Sequence, residues 1–143
     1  KKPDKNGESV IFYISENIID TENFNTDDAL GFISFYIDYI DNDMSVLFIN
    51  TIDKFKGKGL GTFFMILAAS YTNTLNVKCK CIPTIILDDD SDNSWNMKHN
   101  IYVKLGLKYI NTKPEPEMKG ELMDVVNYWN TFQKKYKNKL ALL

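Results

Sequence analysis

The chain has 143 residues, 44% of them hydrophobic and 25% charged, which is enough apolar material for one domain with a real core. Its formal net charge of −2 argues against a dedicated nucleic-acid binder, which would carry a basic face. All 17 basic residues are lysine, so any bound anion must be held by point charges and backbone, without a bidentate guanidinium.

Residues 1–8 are polar and read as a flexible end, followed by a short strand over 10–14. Residues 17–28, punctuated by Asn and Asp, read as a loop with at most one helical turn. Residues 30–39 are rich in β-branched and aromatic side chains and read as a long strand. The apolar run from Leu30 to Ile40 is interrupted by Asp38 and is too short to span a bilayer, and no signal-peptide pattern is visible. No membrane partner is therefore expected. Asp41, Asn42 and Asp43 make a turn, and residues 46–52 return as the second strand of an antiparallel hairpin.

A glycine-rich loop follows, Lys56-Gly57-Lys58-Gly59-Leu60-Gly61-Thr62. After it Leu60, Phe63, Phe64, Leu67 and Tyr71 fall at helical spacing, which predicts a helix from about Gly59 to Asn73. Residues 77–87 read as a strand interrupted by Pro83. Cys79 and Cys81 alternate within it and share a face; with a single histidine in the chain they read as buried thiols of a reducing, cytoplasmic compartment, and no metal site is expected. The acidic run 88–94 leads to a helix over about 95–105, closed by Gly106 in the C′ position. Residues 107–110 read as a strand, Pro114 and Pro116 as a loop, and residues 121–139 as an amphipathic C-terminal helix. There is no repeat and no linker, so residues 1–143 read as one domain.

The glycine loop lies between a strand and a helix. The first N–H groups of such a helix are free and point outward, which suits a phosphate chain. The loop matches neither the Walker A spacing nor the dinucleotide-binding fingerprint, and taken alone it is as consistent with a plain strand-to-helix turn.

Two motifs together say more. The stretch from Phe55 to Gly61 resembles the pyrophosphate-binding signature of the GNAT N-acyltransferase superfamily, Arg/Gln-x-x-Gly-x-Gly/Ala. The stretch from Asn100 to Ile110, containing Tyr102-Val103-Lys104-Leu105-Gly106-Leu107, resembles that superfamily's second signature. The resemblance implies an α+β domain with a mixed, mostly antiparallel twisted sheet and helices on both faces. It implies acetyl-CoA as cofactor and acetyl transfer to a primary amine by direct attack in a ternary complex. The acceptor would be a small molecule, a polyamine, or a protein lysine or N-terminus, and the enzyme a monomer or homodimer. A reading of another class is a non-catalytic acyl-CoA-binding module that acts through a protein partner.

The resemblance also assigns roles. Lys56, Gly57, Lys58, Gly59, Leu60, Gly61 and Thr62 would cradle the pyrophosphate, and the backbones of Ile49, Asn50 and Thr51 would pair with the pantetheine arm. Tyr102 would protonate or hold the departing thiolate; without the motif it reads as a core aromatic. Asp88, at a strand end, is the candidate base, or else a residue of a solvated turn. The family's helix asparagine falls at Trp95, with Asn96 beside it as the substitute. Lys56 stands where arginine or glutamine is usual, and Leu107 where phenylalanine is. About thirty residues precede Leu30, a reduced N-terminal region by the family's standard, and the C-terminal helix is an addition.

Overall fold

The computed structural model describes residues 6–16, 25, 27, 29–55, 57, 59–76, 82–88, 100–111 and 116–140, with side chains for all of these except 76 and 136–140. Six strands form one sheet: β1 (Gly7–Ile14), β2 (Gly31–Asp38), β3 (Asp43–Thr51), β4 (Thr84–Asp88), β5 (Lys108–Asn111) and β6 (Glu117–Glu121), in the order β1-β2-β3-β4-β6-β5. Only the β3–β4 pair is parallel. The helices are α1 (Leu60–Asn76), α2 (Ile101–Lys104), α3 (Leu122–Asn127) and α4 (Trp129–Leu140). None of them is long and apolar enough to cross a membrane.

Strand β2 sets the pattern. Every second residue from Gly31 is buried, and Ile33, Phe35 and Ile37 are fully so. Its partners Met44 and Val46 on β3 lie on the same face, as do Ile85 and Leu87 on β4 and Met118 on β6. Helix α1 covers this face with Leu60, Phe64, Met65, Ala68 and Ala69, and α3 and α4 pack against α1. Each large apolar side chain so buried contributes about 1.5–3 kcal/mol. On the other face Ile11 and Phe48 are exposed. Helical cover, expected on both faces, is thus described for one.

The hairpin β2–β3 and helix α1 form where the sequence predicts them, and four expectations change. Gly7 and Glu8 open β1 rather than belonging to a flexible end: Glu8 accepts hydrogen bonds from the hydroxyls of Tyr71 and Tyr39, which tie the edge strand to α1 and to the end of β2. The strand expected from residue 77 is described only from Thr84, residues 77–81 with both cysteines lying outside the described residues. The helix expected over 95–105 does not run through Asn100, which is extended (φ −74°, ψ 116°) and caps a helix beginning at Ile101. Residues 117–121 form a strand that was not expected, so the C-terminal helix starts at Leu122 and is divided at Tyr128.

Candidate functional site

Strand β3 pairs with β4 only from Asp43↔Thr84 to Val46↔Leu87. The register between β2 and β3 then slips: Phe35 faces Val46 while Ser34 faces Phe48, leaving Leu47 as the extra residue of a bulge. Beyond the bulge Ile49, Asn50 and Thr51 pair with β2 alone, opposite Ile33, Phe32 and Gly31. Among the described residues no strand takes the other edge of this segment. Its outward backbone groups are available for a ligand that runs along it as an extended chain.

The chain then turns into α1. Ile52 N–H donates to the Leu30 carbonyl, a 3-10 turn over Asp53–Phe55 buries the Phe55 ring, and the Lys54 ammonium lies 5.5 Å from the centre of that ring. Gly57 and Gly59 both have left-handed backbones, with φ of 78° and 85°, which glycine adopts without the penalty a Cβ brings. Gly57 is exposed, and a Cβ there would meet nothing within 4 Å. The first α-helical bond runs from Phe63 N–H to the Gly59 carbonyl at 2.9 Å. The N–H groups of Leu60, Gly61 and Thr62 therefore have no partner within the helix. Leu60 and Thr62 bury their side chains, so the turn offers backbone donors and the positive end of the helix dipole. Lys56 and Lys58 lie outside the described residues, as does Asn96.

The second motif reaches the same place. Asn100, 4% exposed, accepts from the N–H groups of Tyr102 (2.8 Å) and Val103 (3.2 Å) through Oδ1 and donates from Nδ2 to the Tyr109 hydroxyl at 2.8 Å. This fixes where α2 begins. Gly106 closes it with φ 98°, and Leu107 N–H returns to the Tyr102 carbonyl at 3.0 Å. At the head of α2, the Ile101 Cδ1 lies 3.6 Å from where a Cβ on Gly61 would sit, and the Ile49 Cδ1 lies 4.0 Å from the same point. The strand segment with one open edge, the opening turn of α1 and the helix bearing Tyr102 thus converge.

The fold matches solved acetyltransferases. PaiA N-acetyltransferase from Thermoplasma acidophilum, solved with coenzyme A, superposes with a TM-score of 0.52 at 20% identity, over 68% of this chain and 57% of that one. Nourseothricin acetyltransferase gives 0.56 at 13% identity, over 82% and 66%. An acetyltransferase of the GNAT family from Staphylococcus aureus gives 0.51 at 12% identity, over 69% and 64%. The chain has the GNAT fold. No family model and no curated protein matches the sequence. The chain spans 57% to 66% of the length of these three GNAT-fold proteins.

Within the GNAT fold the two assigned side chains are placed differently. Tyr102 is 9% exposed and belongs to the hydrophobic core beside the convergence. Asp88 ends β4, alternates with the buried Leu87 and is exposed on the other side of the sheet, opposite Glu117 of β6. Among the described residues, the two groups with clearly displaced pKa values lie at the far end of the sheet. Burial and the neighbouring Asp38 and Asp41 push the Asp43 carboxyl up, and the hydrogen bond to Glu8 pushes Tyr71 up to about 12. Two site features escaped the sequence reading. The bulge at Leu47 had no signal. Asn100 did have one, being a favoured capping residue placed just before an apolar helical run.

Proposed function

We propose that this chain transfers an acetyl group from acetyl-CoA to a primary amine by direct attack in a ternary complex. The observation that carries the reading is the convergence at Gly61 of an unpaired strand edge, a left-handed glycine turn opening a helix whose first three N–H groups have no partner within it, and the helix that carries Tyr102. The residues fit the cofactor. A diphosphate needs convergent donors and room for close approach; Leu60–Thr62 supply the donors, and the open space beside Gly57 supplies the room. An extended pantetheine arm needs an edge strand, and Ile49–Thr51 supply one.

When bound, acetyl-CoA supplies an acetyl group activated as a thioester. The amine acceptor must be neutral to attack; its proton is assigned by sequence position to Asp88, which from the other side of the sheet would take it only through water. The Tyr102 hydroxyl would give its proton to the sulfur that the amine displaces from the thioester. Lys56, Lys58 and Asn96 are assigned to the phosphates and the cofactor by their sequence positions, and a reducing, cytoplasmic setting is part of the same reading.

Two measurements test this. Calorimetry with acetyl-CoA should show binding at micromolar concentration; none at high micromolar concentration overturns the reading. Thiol release from acetyl-CoA should then rise when polyamines, small amines or lysine peptides are added. Binding with no release across such a panel overturns the transferase assignment.

A further inference from the structure

We propose that Trp129, backed by Phe63 and Phe132, is the stacking platform for the adenine ring of coenzyme A. This rests on the reading above, in which the glycine turn holds the cofactor's diphosphate. Phe63 is the fourth residue of α1. Helical side chains lean toward the N-terminus, so its ring covers the first turn, level with the N–H groups of Leu60–Thr62 that have no partner within the helix. The Trp129 ring centre lies 6.3 Å from that of Phe63 and 5.6 Å from that of Phe132, on which it stacks at 20°. Phe63 and Phe132 stack in turn at 6.0 Å and 30°. Phe132 is 1% exposed and closes the core, whereas Trp129 keeps 39% of its surface in solvent. The platform therefore runs from the interior to the surface and ends in a large, flat, available ring beside the anion-binding turn.

The direction is right for the nucleotide end. Gly61 and Phe63 are two residues apart, so they face opposite flanks of α1. Gly61 meets Ile49 and Ile101, the flank assigned to the pantetheine arm. A diphosphate seated across the end of the helix then sends its adenosine to the flank of Phe63 and Trp129. The chain has no arginine to stack on a base, and an indole serves the same purpose without hydrogen-bond readout.

The test compares coenzyme A affinity, by calorimetry, for the unsubstituted chain, Trp129→Ala and Trp129→Phe. Losing an aromatic–base stack should weaken binding about tenfold in the alanine variant, while the phenylalanine variant should stay within about threefold. In a Trp95→Phe background, coenzyme A should quench the fluorescence of the remaining tryptophan, and 4′-phosphopantetheine, which lacks the nucleotide, should not. Equal affinity with and without Trp129, equal weakening by alanine and phenylalanine, or emission unchanged by coenzyme A each overturns the proposal alone. Failure of the unsubstituted chain to bind coenzyme A overturns both the proposal and the reading beneath it. Should Trp129→Ala fail to fold, the phenylalanine variant and the fluorescence measurement still decide.

Discussion

A Cβ added to Gly61 would stand 3.6 Å from the Cδ1 of Ile101, so a single methyl group on this glycine would bring the first turn of α1 into van der Waals contact with the first turn of α2. The space admits a methyl group and nothing longer. Gly61→Ala should keep stability or raise it by up to about 1 kcal/mol, because alanine loses less backbone entropy in a helix. Gly61→Leu should cost about 1–3 kcal/mol by overpacking the seam. Urea unfolding of both variants checks this, and a leucine variant as stable as the parent would mean that the two helices are not held together here.

At Gly57 the constraint is the backbone alone. Its φ is 78°, and nothing lies within 4 Å of an added Cβ. Gly57→Ala should therefore meet no clash but carry about 1–2 kcal/mol of left-handed strain. If the turn relieves that strain by moving, its donors move too, and coenzyme A should bind roughly tenfold more weakly. Calorimetry beside a thermal melt separates the two effects.

How much of this was legible in the sequence follows from which signals are local. The hairpin, the glycine turn and α1 were readable because alternation, turn residues and helical spacing all sit within a few residues. Strand β6 was not. Its sequence Glu-Met-Lys-Gly-Glu has one apolar residue, Met118, and Gly120 sits where a Cβ would come within 2.9 Å of the Leu107 side chain. That strand exists because a gap between β4 and β5 accepts it, which is a tertiary cause. The open edge at Ile49–Thr51 was anticipated only through the resemblance, as the pairing site of a pantetheine arm. The bulge at Leu47 that accompanies it leaves no compositional mark. At Asn100 the helical run continued on either side on paper, and a capping side chain overrode it.

Asn100 is the test of how α2 is positioned. Its side chain makes two cap bonds and one bond to Tyr109 while almost wholly buried. Asn100→Ala should cost about 2–3 kcal/mol, the sum of a lost cap and a polar group left without its partner. Asn100→Asp keeps the cap acceptor and should cost less. Denaturant midpoints for the two variants should differ in that order; the reverse order would mean that the Tyr109 bond, and not the cap, fixes the helix.

The Tyr71 hydroxyl donates to Glu8, and this bond, with burial, raises its pKa from 10.0 to about 12. A raised pKa means that the folded chain holds the proton more tightly than the unfolded chain. The contribution is therefore fully present below pH 10 and lost as pH rises toward about 12. Lysines discharge over the same range, so the parent alone is uninformative. The stability difference between the parent and Tyr71→Phe should narrow from pH 10 to pH 12, followed by urea unfolding, and a gap that stays constant would sink the assignment.

Tyr102→Phe separates a chemical role from a packing role. The ring is 9% exposed within the core, so phenylalanine keeps the packing and removes only the hydroxyl. If the hydroxyl serves the departing sulfur, kcat should fall by roughly a hundredfold, while coenzyme A affinity and the melting temperature stay close to the parent values. The loss should be smaller for an acyl donor whose leaving group is more acidic and needs less protonation. A purely structural tyrosine would leave kcat unchanged, or would lower stability and affinity along with it. Steady-state rates with two donors, set beside a melt and a calorimetric titration, distinguish these outcomes.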